Sequence, residues 1–238
     1  MKNKELWKPS QIQKTAEGRF VGSHMHKILG YSHEPIIQKY AKGILADVGC
    51  GNVPYYLLYK DYVEDNICVD WGREDGEISF LDHVADLNRD TIPVETNKVD
   101  TILCTDVLEH ISQPEHLFAE MARIMKPGGH MILTVPFMYW IHDSPYDYHR
   151  YTQFKLADFC ERNGLEVVEI SKYGGLPEVI YDLIYKGFNY DYIPMKRPFF
   201  FIWRKLGSML YGTRMIKRIT EKTNGVMPLG YALVARKK

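Results

Sequence analysis

Short apolar runs punctuate this chain at residues 44–48, 66–70, 99–104, 130–137, 165–170 and 231–235, and the intervals between them carry helical spacing or turn residues. Each run is nearly continuous in hydrophobicity instead of alternating, which is the pattern of a strand buried on both faces. Such strands, alternating with helices, belong to a mostly parallel sheet covered by helices on both sides, an α/β architecture. Sheets of this kind bind ligands outside the carboxyl ends of the strands, where strand order reverses. The helical intervals are legible too. Residues 35–40 open a helix ending at Gly43, and residues 55–62 suit another. Ser112, Gln113, Pro114 and Glu115 have the form of a capping box with proline in the first turn. Leu117, Phe118, Met121, Ile124 and Met125 follow at helical spacing until Pro127, Gly128 and Gly129 stop the helix. Residues 152–163 read as a helix closed by Gly164.

The 238 residues suffice for one large α/β domain with additions. Hydrophobic residues at 45% and charged residues at 25% exclude disordered, collagenous and fibrous classes. Lys and Arg together number 30, as do Asp and Glu, so the surface as a whole is not a nucleic-acid footprint. The distribution is uneven, however. Residues 186–238 hold twelve Lys and Arg against Asp191 and Glu221, a surplus of ten positive charges balanced by an acidic remainder. The C-terminal quarter therefore faces something anionic or is a solvated basic face. Cys50, Cys68, Cys104 and Cys160 form no CxxC pair, and three of them lie in or beside apolar runs, so neither a disulfide framework nor a zinc site is expected from spacing. The opening lysines precede no apolar stretch of signal-peptide type, and the apolar residues 131–141 fall short of a membrane span, which points to a cytoplasmic protein.

The first apolar run ends in a loop containing Gly49 and Gly51, where the backbone can turn sharply and approach a ligand. A dinucleotide fingerprint would need Gly or Ala at position 54, where Pro54 stands. Asp70 closes the next strand, nineteen residues after Gly51, and a carboxylate there can accept hydrogen bonds from both hydroxyls of a ribose. Asp86 and Leu87 precede the run at 99–104, and Thr105, Asp106 and His110 follow it. An Asp with a neighbouring backbone N–H matches the edge of an adenine.

Taken in order, DVGCGN (47–52), CVDW (68–71), ADL (85–87), TDVLEHI (105–111) and IMKPGGHMILTVP (124–136) resemble the class I S-adenosylmethionine-dependent methyltransferases, in particular the type 11 group. The resemblance implies a Rossmann-like, seven-stranded, mostly parallel sheet with helices on both faces and one antiparallel strand near the C-terminus. It implies S-adenosyl-L-methionine as cofactor, with Asp47, Gly49 and Gly51 shaping the pocket for the methionine moiety, Asp70 and Trp71 at the ribose, Asp86 and Leu87 at the adenine, and Thr105, Asp106 and His110 beside the sulfonium. One departure is that the common form has a glycine where Val53 stands. Residues 1–43 would be a cap segment, 44–170 and 226–238 the core, and 171–225 an aromatic and basic insertion.

After the run at 130–137 comes a cluster of pattern H-x-x-P-x-D-Y-x-R-Y-T, residues 142–152. It resembles a variant recurring among methyltransferases of polysaccharide and glycan biosynthesis. His142 is the candidate general base there, and Tyr146, Tyr148 and Arg150 are candidate substrate ligands; alternatively Asp147 and Arg150 pair to brace the loop. No metal is expected, since no His and carboxylate residues cluster at ligand spacing. In the insertion, a helix over 199–218 would gather Phe199, Ile202, Trp203, Leu206, Met209, Leu210 and Ile216 on one side, weakened by Gly207 and Gly212. It reads as a lid over the acceptor pocket or as an interfacial helix making peripheral membrane contact through residues 196–218. The expected activity is methyl transfer to a small-molecule or glycan acceptor, more readily at oxygen. Methylation of RNA or protein, and a binding protein that keeps the fold, are the alternatives, with nucleic acid disfavoured by the charge balance.

Overall fold

The computed structural model describes residues 12–16, 20, 24–72, 81–189, 196–210 and 213–238. The apolar runs become β1 (Ile44–Val48), β2 (Asp65–Asp70), β4 (Val99–Thr105), β5 (Met125–Pro136), β6 (Leu165–Tyr173) and β7 (Gly230–Lys237), joined by the two-residue β3 (His83–Val84). They form one sheet in the order β3-β2-β1-β4-β5-β7-β6. All neighbours pair in parallel except β7, which runs antiparallel to both β5 and β6. The expected Rossmann-like sheet is therefore the fold, and strand order reverses between β1 and β4.

Helices α1 (His24–Tyr40), α2 (Tyr56–Tyr59), α3 (Pro114–Ile124), α4 (Gln153–Arg162), α5 (Leu176–Asn189), α6 (Lys196–Leu210) and α7 (Arg214–Thr223) complete the fold, with a 3-10 turn at Leu108–His110. Two buried clusters fill the faces of the sheet. One packs α3 and α4 against it, with Phe118 and Phe159 stacked at 5.1 Å, and the other packs α1 and α2 through Ile28, Ile37 and Tyr59. Truncating either buried Phe to Ala should cost about 3–5 kcal/mol. All four cysteines are buried and none is in a disulfide, so the thiols serve as small hydrophobes.

Several elements differ from their sequence expectation. Helix α1 spans 17 residues and continues through Pro35, although only residues 35–40 read as helical. Its buried Ile28, Ile36 and Ile37 are diluted among histidines and lysines, so packing rather than intrinsic periodicity holds it. Gly30 lets Phe20 close over it: a Cβ there would lie 2.5 Å from the Phe20 ring. Ser112 does not cap α3. Its hydroxyl and its N–H both donate to Asn88 Oδ1, the N-cap is Gln113, and Pro114 opens the helix. The expected helix over 199–218 is two helices, because the Thr213 side chain caps α7 afresh by accepting the Ile216 N–H. Gly207, expected to weaken α6, lies against Tyr181, and a Cβ there would meet the ring at 1.9 Å. Tyr181 also stacks on Trp203, so α5 and α6 are joined by aromatic packing. Phe199, Ile202 and Met209 of α6 and Met215 of α7 remain largely exposed, and no described helix is long and apolar enough to cross a membrane.

Candidate functional site

The carboxyl ends of β1, β2 and β4 frame a cleft of about 410 Å3. The loop after β1 folds back on β2, with the amides of Gly49 and Cys50 donating to Val69 O. Gly49 takes a φ of +72°, and a Cβ on it would lie 2.4 Å from Val107, so only glycine permits this approach to the strand β4 side. Val53, where a glycine is common, keeps the same left-handed path at φ +47° while fully buried. A β-branched residue there is strained, and its burial holds the loop in place.

Asp70 ties that loop to β2. Its Oδ2 accepts the Gly51 N–H at 2.6 Å and its Oδ1 the Trp71 N–H at 2.7 Å. A carboxylate oxygen can accept more than one hydrogen bond, so the group at this position is chemically suited to hydroxyls in the cleft. Trp71 meets Tyr146 edge to face at 5.3 Å and narrows the mouth. At the far end Leu87, Val107 and Ile111 supply apolar walls beside Asp86 and Asn88, and Asn88 is held by Ser112. The set of donors suits a nucleoside: a carboxylate for a ribose, an apolar slot with polar edges for a base, and glycine-rich backbone for the remainder. Asp47 and Thr105 are not among the cleft-lining residues. Asp47 is buried and accepts the Tyr59 hydroxyl at 3.1 Å, supporting the loop from behind, and Thr105 is paired with Thr134 in the sheet.

A second chamber of about 260 Å3 adjoins the cleft and shares Asp106, His110 and Asp143 with it. Met25 and Leu29 of α1 roof it, Pro136 ends β5 and Tyr139 follows it, and Tyr173 and Leu229 close the far side. Asp106 and Asp143 both adopt left-handed backbone, at φ +53° and +49°, so strain is concentrated where the two spaces meet. Burial pushes the Asp106 carboxyl up to about 6, against the lowering effect of Thr134, His110 and Tyr173. Of the described part of the insertion only Tyr173, the last residue of β6, lines this chamber, and α5, α6 and α7 contribute none of its lining residues. Lys186 of α5 instead buttresses the wall from outside, paired with Asp182 and seated over the Tyr139 ring at 3.2 Å.

His142 reaches into this chamber on the loop after β5. Its backbone N–H donates to Asp147 Oδ2 at 2.9 Å, and its Nδ1 lies 3.2 Å from the same oxygen. Asp147 is clamped by both terminal nitrogens of Arg150, which also donate to the carbonyls of Trp140 and His149. Burial alone would raise Asp147, yet Arg150 and the His142 amide hold it at about 2. Burial, together with His110, keeps His142 below the usual imidazole range. Arg150 thus braces the loop. Tyr146 lines the first cleft, while Tyr148 is half-exposed, with its amide donating to Glu109 O.

Sequence reasoning assigned no role to Glu109. It is fully buried, neither carboxylate oxygen has a hydrogen-bond partner, and burial followed by the charge of Asp106 pushes its carboxyl well above the usual range. Its Oε1 lies 3.7 Å from His110 Nε2 and 3.8 Å from His142 Nε2. The one signal in the chain is a glutamate placed between apolar neighbours in VLEHI. Met25, Leu29, Tyr139 and Tyr173 carried no signal, because they enter the chamber from three separate segments.

A cleft at the β1/β4 reversal whose donors suit a nucleoside, with a second chamber beside it, is the ligand-site arrangement of a Rossmann-like domain. The profile of the methyltransferase domain family matches residues 27–170, and the chain belongs to that family. S-adenosylmethionine is the cofactor of this class, and Asp70, Gly49, Gly51, Asp86 and Leu87 fit it as described. A ubiquinone biosynthesis O-methyltransferase from Vibrio atlanticus (strain LGP32) is 26% identical over 134 residues, 50% of this chain and 54% of that protein. The chain thus spans about half the length of the curated relatives it matches. Among solved structures, an S-adenosylmethionine-dependent methyltransferase from Archaeoglobus fulgidus superposes with a TM-score of 0.56 at 16% identity, covering 87% of this chain and 91% of that one. The [4+2]-cyclase SpnF superposes at 0.57 and 17% identity, covering 91% and 84%. These likenesses concern the fold, and a cyclase among them illustrates why reaction must be argued from the site.

Proposed function

We propose that the protein transfers the methyl group of S-adenosylmethionine to a hydroxyl oxygen of a small-molecule or glycan acceptor seated in the second chamber. The observation that supports this reading is that Asp106, His110 and Asp143 line both spaces, so an acceptor in the chamber would lie beside the cleft and against the half-buried His142 and the buried Glu109. Bound cofactor supplies an electrophilic sulfonium methyl, displaced in line. The chain's part is to align the acceptor, which can contribute up to about 7–11 kcal/mol, and to stabilise or accept the hydroxyl proton's charge. An oxygen acceptor needs that second service and a neutral amine does not. His142, held by Asp147, is the group on which it depends. The O-methyltransferase name of the relatives supports the same acceptor atom.

The outer surface supports an acceptor presented at an anionic membrane. α6 and α7 expose Phe199, Ile202, Met209, Met215 and Ile219 beside Lys205, Arg214, Lys217, Arg218 and Lys222. Co-sedimentation with phosphatidylglycerol vesicles but not with phosphatidylcholine vesicles is the expected outcome, and equal sedimentation with both removes this part of the reading.

The acceptor atom is tested by methyl transfer from labelled cofactor to matched hydroxyl and amine compounds. His142→Ala should lower kcat about 10²–10⁴-fold while S-adenosylhomocysteine affinity stays within about threefold. Transfer to amines alone, or wild-type turnover in the variant, overturns the proposal.

A further inference from the structure

A fully buried carboxylate with two unsatisfied oxygens costs about 1–3 kcal/mol or more unless something satisfies it. Glu109 is such a group, and it is aimed at two imidazoles. The donor atoms of Glu109, His110 and His142 all lie within 4.8 Å of one another. Zinc bound at about 2.0–2.2 Å places tetrahedral donors roughly 3.4 Å apart, a few tenths of an ångström inside the 3.7 and 3.8 Å separations of Glu109 Oε1 from the two imidazoles, which would draw together around the ion. We propose that Glu109, His110 and His142 form a three-ligand site for a divalent transition-metal cation, zinc by the chemistry of its donors, with the open position turned toward the second chamber.

The surroundings of the imidazoles support this assignment independently of the carboxylate. His110 Nδ1 lies 2.9 Å from Tyr146 O, so the proton sits on Nδ1 and donates to that carbonyl, leaving the Nε2 lone pair toward Glu109. His142 Nδ1 lies 3.2 Å from Asp147 Oδ2, close to it but outside hydrogen-bond geometry, and Arg150 locks that carboxylate in place. Imidazole ligands of metals are commonly backed on their other nitrogen by a carbonyl or carboxylate, as His110 is by Tyr146 O. Two nitrogen donors and one oxygen disfavour magnesium, which takes oxygen ligands, and suit zinc with one position left for an incoming oxygen. Sequence spacing hid the site because His142 joins the adjacent pair Glu109 and His110 only through the fold.

The use of the cation rests on the O-methyl transfer reading. An acceptor hydroxyl in the open position would lose its proton to solvent water at lower pH. Its oxygen lone pair would then form the new C–O bond as the methyl–sulfur bond breaks with both electrons going to sulfur. The products balance as a methyl ether, S-adenosylhomocysteine and one proton, with no redox change.

The test uses the full chain freed of metal by a chelator and titrated calorimetrically with zinc chloride, then with magnesium chloride. One equivalent of zinc should bind, with magnesium at least about 100-fold weaker. Glu109→Gln and His142→Ala should each lower zinc affinity by about 100-fold or more, and Asp147→Asn by about 10–100-fold. Retained S-adenosylhomocysteine binding certifies the fold of each variant, and the mild Asp147→Asn change serves should either ligand variant fail to fold. Cobalt(II) in place of zinc should give the visible absorption of a tetrahedral site, lost with the ligands. Absence of zinc binding by the wild type, or binding that survives all three substitutions, overturns the site. Zinc binding without any methyl transfer to hydroxyls upholds the site and instead removes the acceptor reading.

Discussion

In the cofactor cleft the Asp70 carboxylate already accepts two backbone amides, whereas in the adjoining chamber the Glu109 carboxylate accepts none. Asp70 ends β2 and Glu109 sits in the 3-10 turn after β4, but the first is half-exposed and the second fully buried. The satisfied carboxylate is a rigid acceptor for neutral hydroxyls. The unsatisfied one is a group whose partner must come from outside the protein chain. The cleft is thus preorganised for recognition, and the chamber holds its electrostatic stress where the reacting oxygen would sit.

That contrast can be broken at Asp70. Asp70→Ala should lower S-adenosylhomocysteine affinity on the order of 100-fold, since two bonds to a charged acceptor are worth roughly 3 kcal/mol together. Zinc affinity should be unchanged, and a parallel loss of both in calorimetry would show one site rather than two. Next in size is the brace behind the chamber. Arg150→Met leaves Asp147 without its clamp and should lower stability by about 2–3 kcal/mol, allowing for the partial exposure of Arg150, with the change read from denaturant midpoints.

A smaller effect sharpens the comparison through pH. His33 lies behind the chamber wall, its Nδ1 3.1 Å from the Tyr55 hydroxyl and its ring edge to face with Tyr173. Burial lowers its pKa from 6.5 to about 3. Between those values the unfolded chain binds the proton that the folded chain refuses, so stability falls as pH drops through this window. At pH 5 the loss relative to pH 7.5 should be about 2 kcal/mol from this residue, and His33→Leu should flatten the acid slope whatever its own offset. An unchanged slope would mean that His33 becomes protonated within the fold.

The parts legible in the sequence share a physical character. β1, β2, β4 and β5 were readable because a doubly buried strand is continuously apolar over a few residues. Gly49, Gly51 and Asp70 were readable because turn geometry and strand ends are local. β3 is two residues long and carries no period, and α1 hides three buried isoleucines among polar neighbours. Val53 shows an intermediate case. The sequence marks the departure from glycine, but only the packing reveals that the loop keeps its left-handed turn with the valine fully buried.

By itself, then, the sequence determined which runs become the central strands, the glycine loop after β1 and the carboxylate at the end of β2, because periodicity, turn chemistry and strand ends act over a few residues. The tertiary structure alone decided that α1 roofs the second chamber, that Arg150 is engaged in bracing, and that Glu109 meets His142. Those outcomes depend on burial and on the distance between segments far apart in the chain, and desolvation is a property of the packed molecule that no local pattern encodes.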